Sequence, residues 1–324
     1  MNCKKCNFQN EDSAQFCKNC GAELKQRQSH LPKKKNSLLW VLGAVFLIAL
    51  CTVLYFLLAN NNKTAMNDLR IANLRGNVKS VREIVYYAEN KFGEVIKGKR
   101  QDGNDGKFDD KPLSELPPIH LINSAAIYPF GNSLINYNKD GRISDIVIYD
   151  EYNQVQSKYF YKYDDKGNKI ERTHYDKTGS LKYKFKFNYE SNGQFNNMVC
   201  YYESDVYCVA RSTQFDKNGN ITEIRLDGED GEDGYYINCR YDEKNNLIEI
   251  NLHYGYEIEL KYDEKNRITQ RWGETYFFDN NGYLTKKTTG YSTVIYSNHD
   301  NNGNWTKAVE ETGYYIIERT IEYW

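Results

Sequence analysis

Two hydrophobic patterns divide this chain. Residues 38–59 (LLWVLGAVFLIALCTVLYFLLA) run for 22 positions without a charge, whereas beyond Asn77 apolar and polar residues alternate with period two. In Leu181–Tyr189 (LKYKFKFNY) every odd-numbered position is apolar or aromatic and every even one polar, and Tyr256–Tyr262 (YEIELKY) repeats the alternation. Successive side chains of a strand point to opposite faces, so both segments read as strands with one face buried and one wet. At 1.5 Å per residue the uncharged run covers about 33 Å, enough for a hydrocarbon core of about 30 Å, and it predicts one transmembrane α-helix over 38–59. It is longer than the apolar core of a cleaved secretory signal and starts well inside the chain. Thr64 is placed to cap a short helix through Leu74, with Gly76 as its stop.

The alternating region carries a repeat. If p denotes an aromatic position, p+1 is usually Asp, p+4 is Gly or Asn, and p+6 is apolar. Ten copies start at Tyr137, Tyr149, Tyr163, Tyr175, Tyr189, Phe215, Tyr241, Tyr262, Phe278 and His299, and only Lys169 breaks the rule at p+6. Asp or Asn at the first position of a type I turn bonds its own backbone, and the fourth position takes φ > 0, which Gly and Asn tolerate. Such a turn closes a hairpin with a bulge. Pairing p+1 with p+5 then sets p opposite p+6 on one face, as a cross-strand core contact. Starts at 137, 163, 189, 215 and 241 are 26 residues apart, and later ones follow at 21, 16 and 21. With extra turns at Gly255, Gly273, Gly290 and Gly313, the spacing predicts an antiparallel meander of roughly 16–20 strands. Open sheets seldom exceed about ten strands without curling, so a partial barrel or rolled shell is expected.

Composition agrees with Tyr-rich β-structure: 29 Tyr against 14 Phe, and only 5 Pro in 324 residues. The net charge of −1 argues against a nucleic-acid partner. Charge is uneven along the chain: residues 1–37 hold eight Lys/Arg and three Asp/Glu (+5), leaving −6 for the rest. Lys25, Arg27, Lys33, Lys34 and Lys35 precede the uncharged run and only Lys63, Arg70 and Arg75 follow closely. That bias predicts a cytoplasmic N-terminus and an exported, periplasmic or extracellular, C-terminal part of a single-pass cell-membrane protein.

Cys3, Cys6, Cys17 and Cys20 form C-x2-C-x10-C-x2-C. Two C-x-x-C turns offer four thiolates to one Zn²⁺, which takes four sulfurs tetrahedrally. Asn7 and Gly21 follow the two pairs, and both residue types tolerate the left-handed conformation that aims backbone amides at sulfur. With four Cys the ion has no open position and is structural, and so short a segment needs it to fold. Residues 16–24 (FCKNCGAEL) resemble the second knuckle of the bacterial zinc-ribbon modules that begin membrane proteins. The turns at 163–168, 215–221 and 299–305 look like YD repeats of the Rhs type, over about 137–305. Residues 74–81 and 128–131 resemble the opening of Bacteroidetes cell-envelope proteins that carry such repeats. Long Rhs arrays wrap a toxin and can bind carbohydrate. This array is short and no toxin domain is expected after Trp324, so the resemblance implies an open binding surface instead.

The expected organisation is mainly β: a zinc ribbon over 1–24, a basic linker over 25–37, the transmembrane helix, a short helix and linker over 60–76, and a β-domain over 77–324. No catalytic motif is present: the five His are scattered, and GxSxG, GxxxxGK[ST] and GxGxxG are all missing. The acidic stretches 102–110 and 227–234 lack EF-hand spacing and read as solvated loops before calcium sites. Cys200 and Cys208 flank a turn symmetrically, a placement that would allow a cross-strand disulfide; Cys239 reads as a buried thiol. The expected function is a non-enzymatic, membrane-anchored envelope protein whose exported β-domain binds a polysaccharide or protein. The second reading is a signalling or assembly adaptor, in which the ribbon contacts a cytosolic protein and the β-domain senses or spaces.

Overall fold

A computed structural model describes residues 1–24, 68–103, 131–203, 205–227, 234–252, 256–311 and 314–324. The chain forms two compact units, Met1–Thr64 and Ala65–Trp324. The apolar run 38–59, the linker 25–37, Thr64, Gly255, Gly313 and most of both acidic stretches lie outside the described residues.

The second unit begins with a single helical turn, α1 (Asp68–Ile71), and the positive φ of Gly76 (80°) ends the segment after it. Nineteen strands follow among the described residues. After β1 (Val78–Lys91), β2 (Glu94–Arg100) and β3 (Ser133–Tyr137), each strand from β3 to β19 (Tyr315–Tyr323) pairs antiparallel with the next in chain order. The meander is therefore as expected. Its shape is not, because β1 joins the two ends: it pairs with β19 from Val78↔Tyr323 to Tyr87↔Tyr315, and with β3 from Ser80↔Asn136 to Glu83↔Ser133. The remaining half of β1 folds back as a hairpin with β2. The result is a closed antiparallel barrel of eighteen strands, not a partial barrel or shell. Closure leaves no row of unpaired backbone groups at either edge, which a curled but open sheet would have kept.

The membrane placement is also corrected. Among the described residues no helix is long and apolar enough to cross a membrane, and the helix described in the second unit is one turn long. The second unit is a β-barrel, which argues against a single-pass helix anchor carrying an exported domain; the run 38–59 itself lies outside the described residues.

The repeat fixes local register as expected. All ten p/p+6 pairs are Cα partners, from Tyr137↔Ile143 to His299↔Trp305. All ten p+4 residues have positive φ, between 62° at Asn266 and 86° at Gly193. The p+1 carboxylate holds the turn: Asp216 Oδ1 accepts the N–H groups of Asn218 (2.8 Å) and Asn220 (2.9 Å). In nine of the ten turns, all but His299/Trp305, a bulge directly after p+6 shifts the register, and at the eight turns of one end the next inward residue is p+9 rather than p+8. The p+9 residues of the eight turns at one end are Ile146, Arg172, Met198, Ile224, Ile250, Arg271, Lys287 and Ala308, and every one is buried. The inward side chains pack into three apolar clusters. The barrel interior is thus filled with side chains in these regions, unlike the aqueous channel that strand number alone would allow.

Two turns depart from the rule. Tyr149/Val155 and Tyr175/Leu181 belong to the opposite end, where the residue before p (Ile148, His174) is the buried one, and Val155 is 37% exposed. Their pairs are surface contacts, not core.

The turn tyrosines also tie neighbouring hairpins together. Tyr163 Oη donates to the carbonyl of Ile143 (2.9 Å), Tyr189 Oη to Lys169 (2.9 Å) and Tyr262 Oη to Leu247 (2.9 Å), in each case the p+6 residue of the previous turn at that end. His299 Nε2 meets the Leu284 carbonyl at 3.0 Å. Where p is Phe215 and has no hydroxyl, Ser212 Oγ donates to the Phe195 carbonyl instead (2.6 Å).

These groups set the pH range of stability. Burial pushes the phenol of Tyr262 up to about 12 and those of Tyr163, Tyr189 and Tyr241 in the same direction. The stability they contribute is complete below the unfolded value near 10 and is lost as pH rises through the folded values. Asp176, held low by the Thr178 hydroxyl, and Asp216, held low by the Asn220 amide, contribute in the opposite sense, losing stability as pH falls below about 4. Thermal midpoints measured against pH should therefore form a plateau with an acid and an alkaline limb, and the double variant Tyr189→Phe/Tyr262→Phe should flatten the alkaline one. At Gly193 (φ 86°) an added Cβ would meet nothing within 4 Å, so the cost of Gly193→Ala is purely conformational. Chemical denaturation is expected to show a loss of about 1–2 kcal/mol.

Candidate metal centre and ligand groove

The first unit folds around its cysteines. Two similar loops each return on themselves: Cys3 N–H donates to the Phe8 carbonyl (2.9 Å) and Cys17 N–H to that of Ala22 (2.8 Å). Asn7 N–H donates to Cys3 O (2.8 Å) and Gly21 N–H to Cys17 O (2.9 Å), with φ of 58° at Asn7 and 63° at Gly21. These left-handed residues turn the knuckles as the spacing required. The four Sγ atoms of Cys3, Cys6, Cys17 and Cys20 lie within 4.8 Å of one another, with Cys3–Cys20 at 3.6 Å and Cys6–Cys17 at 3.5 Å. A tetrahedral ion with metal–sulfur bonds of about 2.3 Å requires sulfurs about 3.8 Å apart, so the donor set can hold a metal ion.

Further donors surround the sulfurs. Lys5 N–H points at Cys3 Sγ (3.4 Å) and the Asn10 side-chain amide at Cys17 Sγ (3.5 Å). Asn10 is itself fixed, because its Oδ1 accepts Lys18 N–H (2.9 Å) and its Nδ2 donates to the Phe8 carbonyl (2.9 Å). The Lys5 amide lowers the Cys3 thiol; at Cys17 burial acts upward but is outweighed by the Cys20 amide and Asn10, giving about 6. Cys20 moves up to about 12: the Ala22 amide pulls it down, but the neighbouring thiols, Cys6 first, outweigh it. Four thiolates crowded this closely repel one another, and a cation removes that conflict.

The remaining predicted residues disperse. Cys200 and Cys208 are direct cross-strand partners, both buried and both reduced, with no disulfide between them. Burial pushes the Cys239 thiol up to about 12. His174 is buried between Tyr159 (ring centroids 4.3 Å apart) and Tyr183 (6.2 Å), and His299 occupies its turn slot.

Sequence reasoning missed two features of the barrel. The first is its interior charge. Arg319 Nε donates to Glu83 Oε1 (2.6 Å), and Glu274 accepts Lys287 Nζ (2.7 Å) and the Tyr276 hydroxyl. Burial alone would raise the Glu274 carboxyl, yet Lys287 leads a set of partners that hold it below its usual value. Of these, only Lys287 lies past a turn bulge; Glu83, Glu274 and Arg319 alternate directly with inward Val81 and Val85, Tyr276, and Ile317.

The second is a groove of about 630 Å³ across three adjacent turns at one end. Its floor is formed by Tyr189, Tyr241 and Tyr262, and its rim by the amides of Asn192, Gln194, Asn218, Asn220, Asn245 and Asn246. No lining residue is charged, in a chain that is 27% charged. The rim amides are organised among themselves: Asn245 Oδ1 accepts from Asn218 Nδ2 (2.7 Å) and Asn220 Nδ2 (3.1 Å). Asn192 Nδ2 donates to Gln194 Oε1 (2.7 Å).

No family model and no curated protein matches this chain. Among solved structures, the Tc holotoxin pore of Photorhabdus luminescens is similar at a TM-score of 0.31 and 10% identity, over 56% of this chain and 12% of that one. A porin-like protein from Bacteroides uniformis is similar at 0.29 and 11% identity, over 76% of this chain and 98% of that one. The chain thus spans about an eighth of the toxin chain and nearly all of the porin-like one. At these scores the likeness assigns neither a family nor an activity.

Proposed function

We propose that this chain is a non-enzymatic binding protein: a four-cysteine ribbon holding structural Zn²⁺, and a barrel whose turn-lined groove takes a neutral glycan. The groove carries the reading. Side-chain amides offer donors and acceptors without charge, which suits hydroxyl-rich ligands, and tyrosine rings below them offer apolar faces for sugar rings. A charged ligand would find no counter-charge on this lining. The four sulfurs leave a bound ion no open position, so zinc would contribute fold rather than chemistry, and thiolate donors in a tetrahedron favour it over the harder divalent ions.

Loading the full chain with Co²⁺ as a zinc substitute should produce thiolate-to-metal absorption. Cys6→Ser should abolish it, and Cys239→Ser should leave it intact. On glycan and peptide arrays the full chain is expected to retain neutral oligosaccharides. Asn245→Gly preserves the positive φ of its turn (64°) while removing the amide that gathers its neighbours, and it should weaken retention roughly tenfold. The matching change at the far end, Asn153→Gly, serves as control. Binding confined to charged peptides, or unaltered by Asn245→Gly, would displace the glycan reading.

A further inference from the structure

A second cavity lies inside the barrel at the end crossed by α1 and the segment that follows it. That segment is fastened to the turns. Leu69 N–H donates to the Gly141 carbonyl (3.1 Å), Asp68 Oδ2 accepts Ile143 N–H (2.7 Å), and Arg75 N–H donates to Asn304 Oδ1 (2.8 Å). Beneath Ile71, Ala72 and Asn73 it leaves a space of about 110 Å³. The walls include four rings, Tyr276, Phe278, Tyr296 and Trp305, with Ile268 and Leu284 between them. This cavity and the glycan groove share no lining residue.

Two polar atoms mark what the space can accept. Asn266 Oδ1 and Arg267 Nη1 are buried, belong to residues lining the cavity, and have no hydrogen-bond partner among the described residues. One is an acceptor and the other a donor. The rest of the Arg267 guanidinium is committed: Nε donates to Asp263 Oδ2 (2.6 Å), and the group lies 4.2 Å from the Phe278 ring centroid. Arg319, also on the wall, is paired with Glu83 and stacked 3.5 Å from the Trp305 ring centroid. Arg267 and Arg319 are therefore already neutralised, and Lys265, the third cation of the lining, is exposed to solvent that screens it, so the enclosed part of the space offers an anionic ligand no unpaired charge.

We propose that this cavity binds a small, neutral, single-ring aromatic molecule bearing a hydroxyl, a ligand of the phenol class. The size agrees, since a dry engineered cavity of about 150 Å³ lined by apolar side chains takes up benzene. The rings provide edge and face contacts for another ring. A phenolic hydroxyl donates one hydrogen bond and accepts another, which matches the chemistry of one unpartnered acceptor, Asn266 Oδ1, and one unpartnered donor, Arg267 Nη1. Benzene fills the space but leaves both unpaired.

The test uses the full-length chain and phenol itself, followed by ¹⁹F NMR of 4-fluorophenol displacement and by the thermal midpoint. Phenol should bind saturably at one site and raise the midpoint, and benzene should bind roughly tenfold more weakly. Asn266→Gly keeps a residue tolerant of the φ of 62° found there, and should bring phenol down to the level of benzene. Leu284→Phe should fill the cavity and abolish binding of both. If Leu284→Phe fails to fold, the Asn266→Gly comparison decides alone. Non-saturable uptake, equal affinity for phenol and benzene, or phenol binding unchanged in Asn266→Gly would each overturn the proposal.

Discussion

Ten hairpins of the barrel, including all eight at one end, depend on one local arrangement: a p+1 side chain, in eight of them an Asp gathering backbone N–H groups, and a left-handed residue at p+4 that lets the chain reverse. The turn places p opposite p+6, and the bulge beside it shifts the strand by one residue. That shift decides the inside of the molecule. Without it, residues such as Ile224 and Ile250 would face solvent and their polar neighbours would face the core. Because the arrangement recurs at one end of successive hairpins, a single turn chemistry sets the phase of the whole wall.

The same repetition builds the surface. Turns that recur at one end bring their side chains together, and three of them form the uncharged groove, with Asn192 and Asn218 from p+3, Asn245 from p+4, and Gln194, Asn220 and Asn246 from p+5. Asn at p+5 is thus used twice: the Asn220 amide bonds back to Asp216 and also reaches Asn245 of the next turn. The tyrosines are shared in a similar way, with rings in the core and hydroxyls on the carbonyls of the preceding hairpin. Stability and recognition therefore draw on one set of residues, and a substitution that alters the groove also alters a turn.

What the sequence made legible followed from range. The turns, their left-handed residues and the p/p+6 register are short-range, and Asp, Gly and Asn at fixed offsets determine them. The four cysteines could be read for the same reason, since two C-x-x-C knuckles need only local loops to converge. Strict period-two reading failed just past each turn, where one extra residue hides Arg172, Arg271 and Lys287 among outward positions although all three are buried. The groove was hidden because Asn192, Asn218 and Asn245 were read one turn at a time. The closure of the barrel was out of reach: nothing near Val78 announces that its partner is Tyr323.

That last pairing has a consequence for how the molecule assembles. Every other link of the ring joins strands separated by a turn or a short loop, apart from the step between β1 and β3, whereas β1 and β19 meet across nearly the whole length of the second unit. The loop-closure entropy of such a contact cannot be recovered until the intervening hairpins are in place. The hairpins can zip sequentially from neighbour to neighbour, and the seam between first and last strands should then be sealed late. A nascent chain would carry β1 paired on its β3 side but open on the other until β19 has been made, leaving that edge exposed for the longest time of any strand.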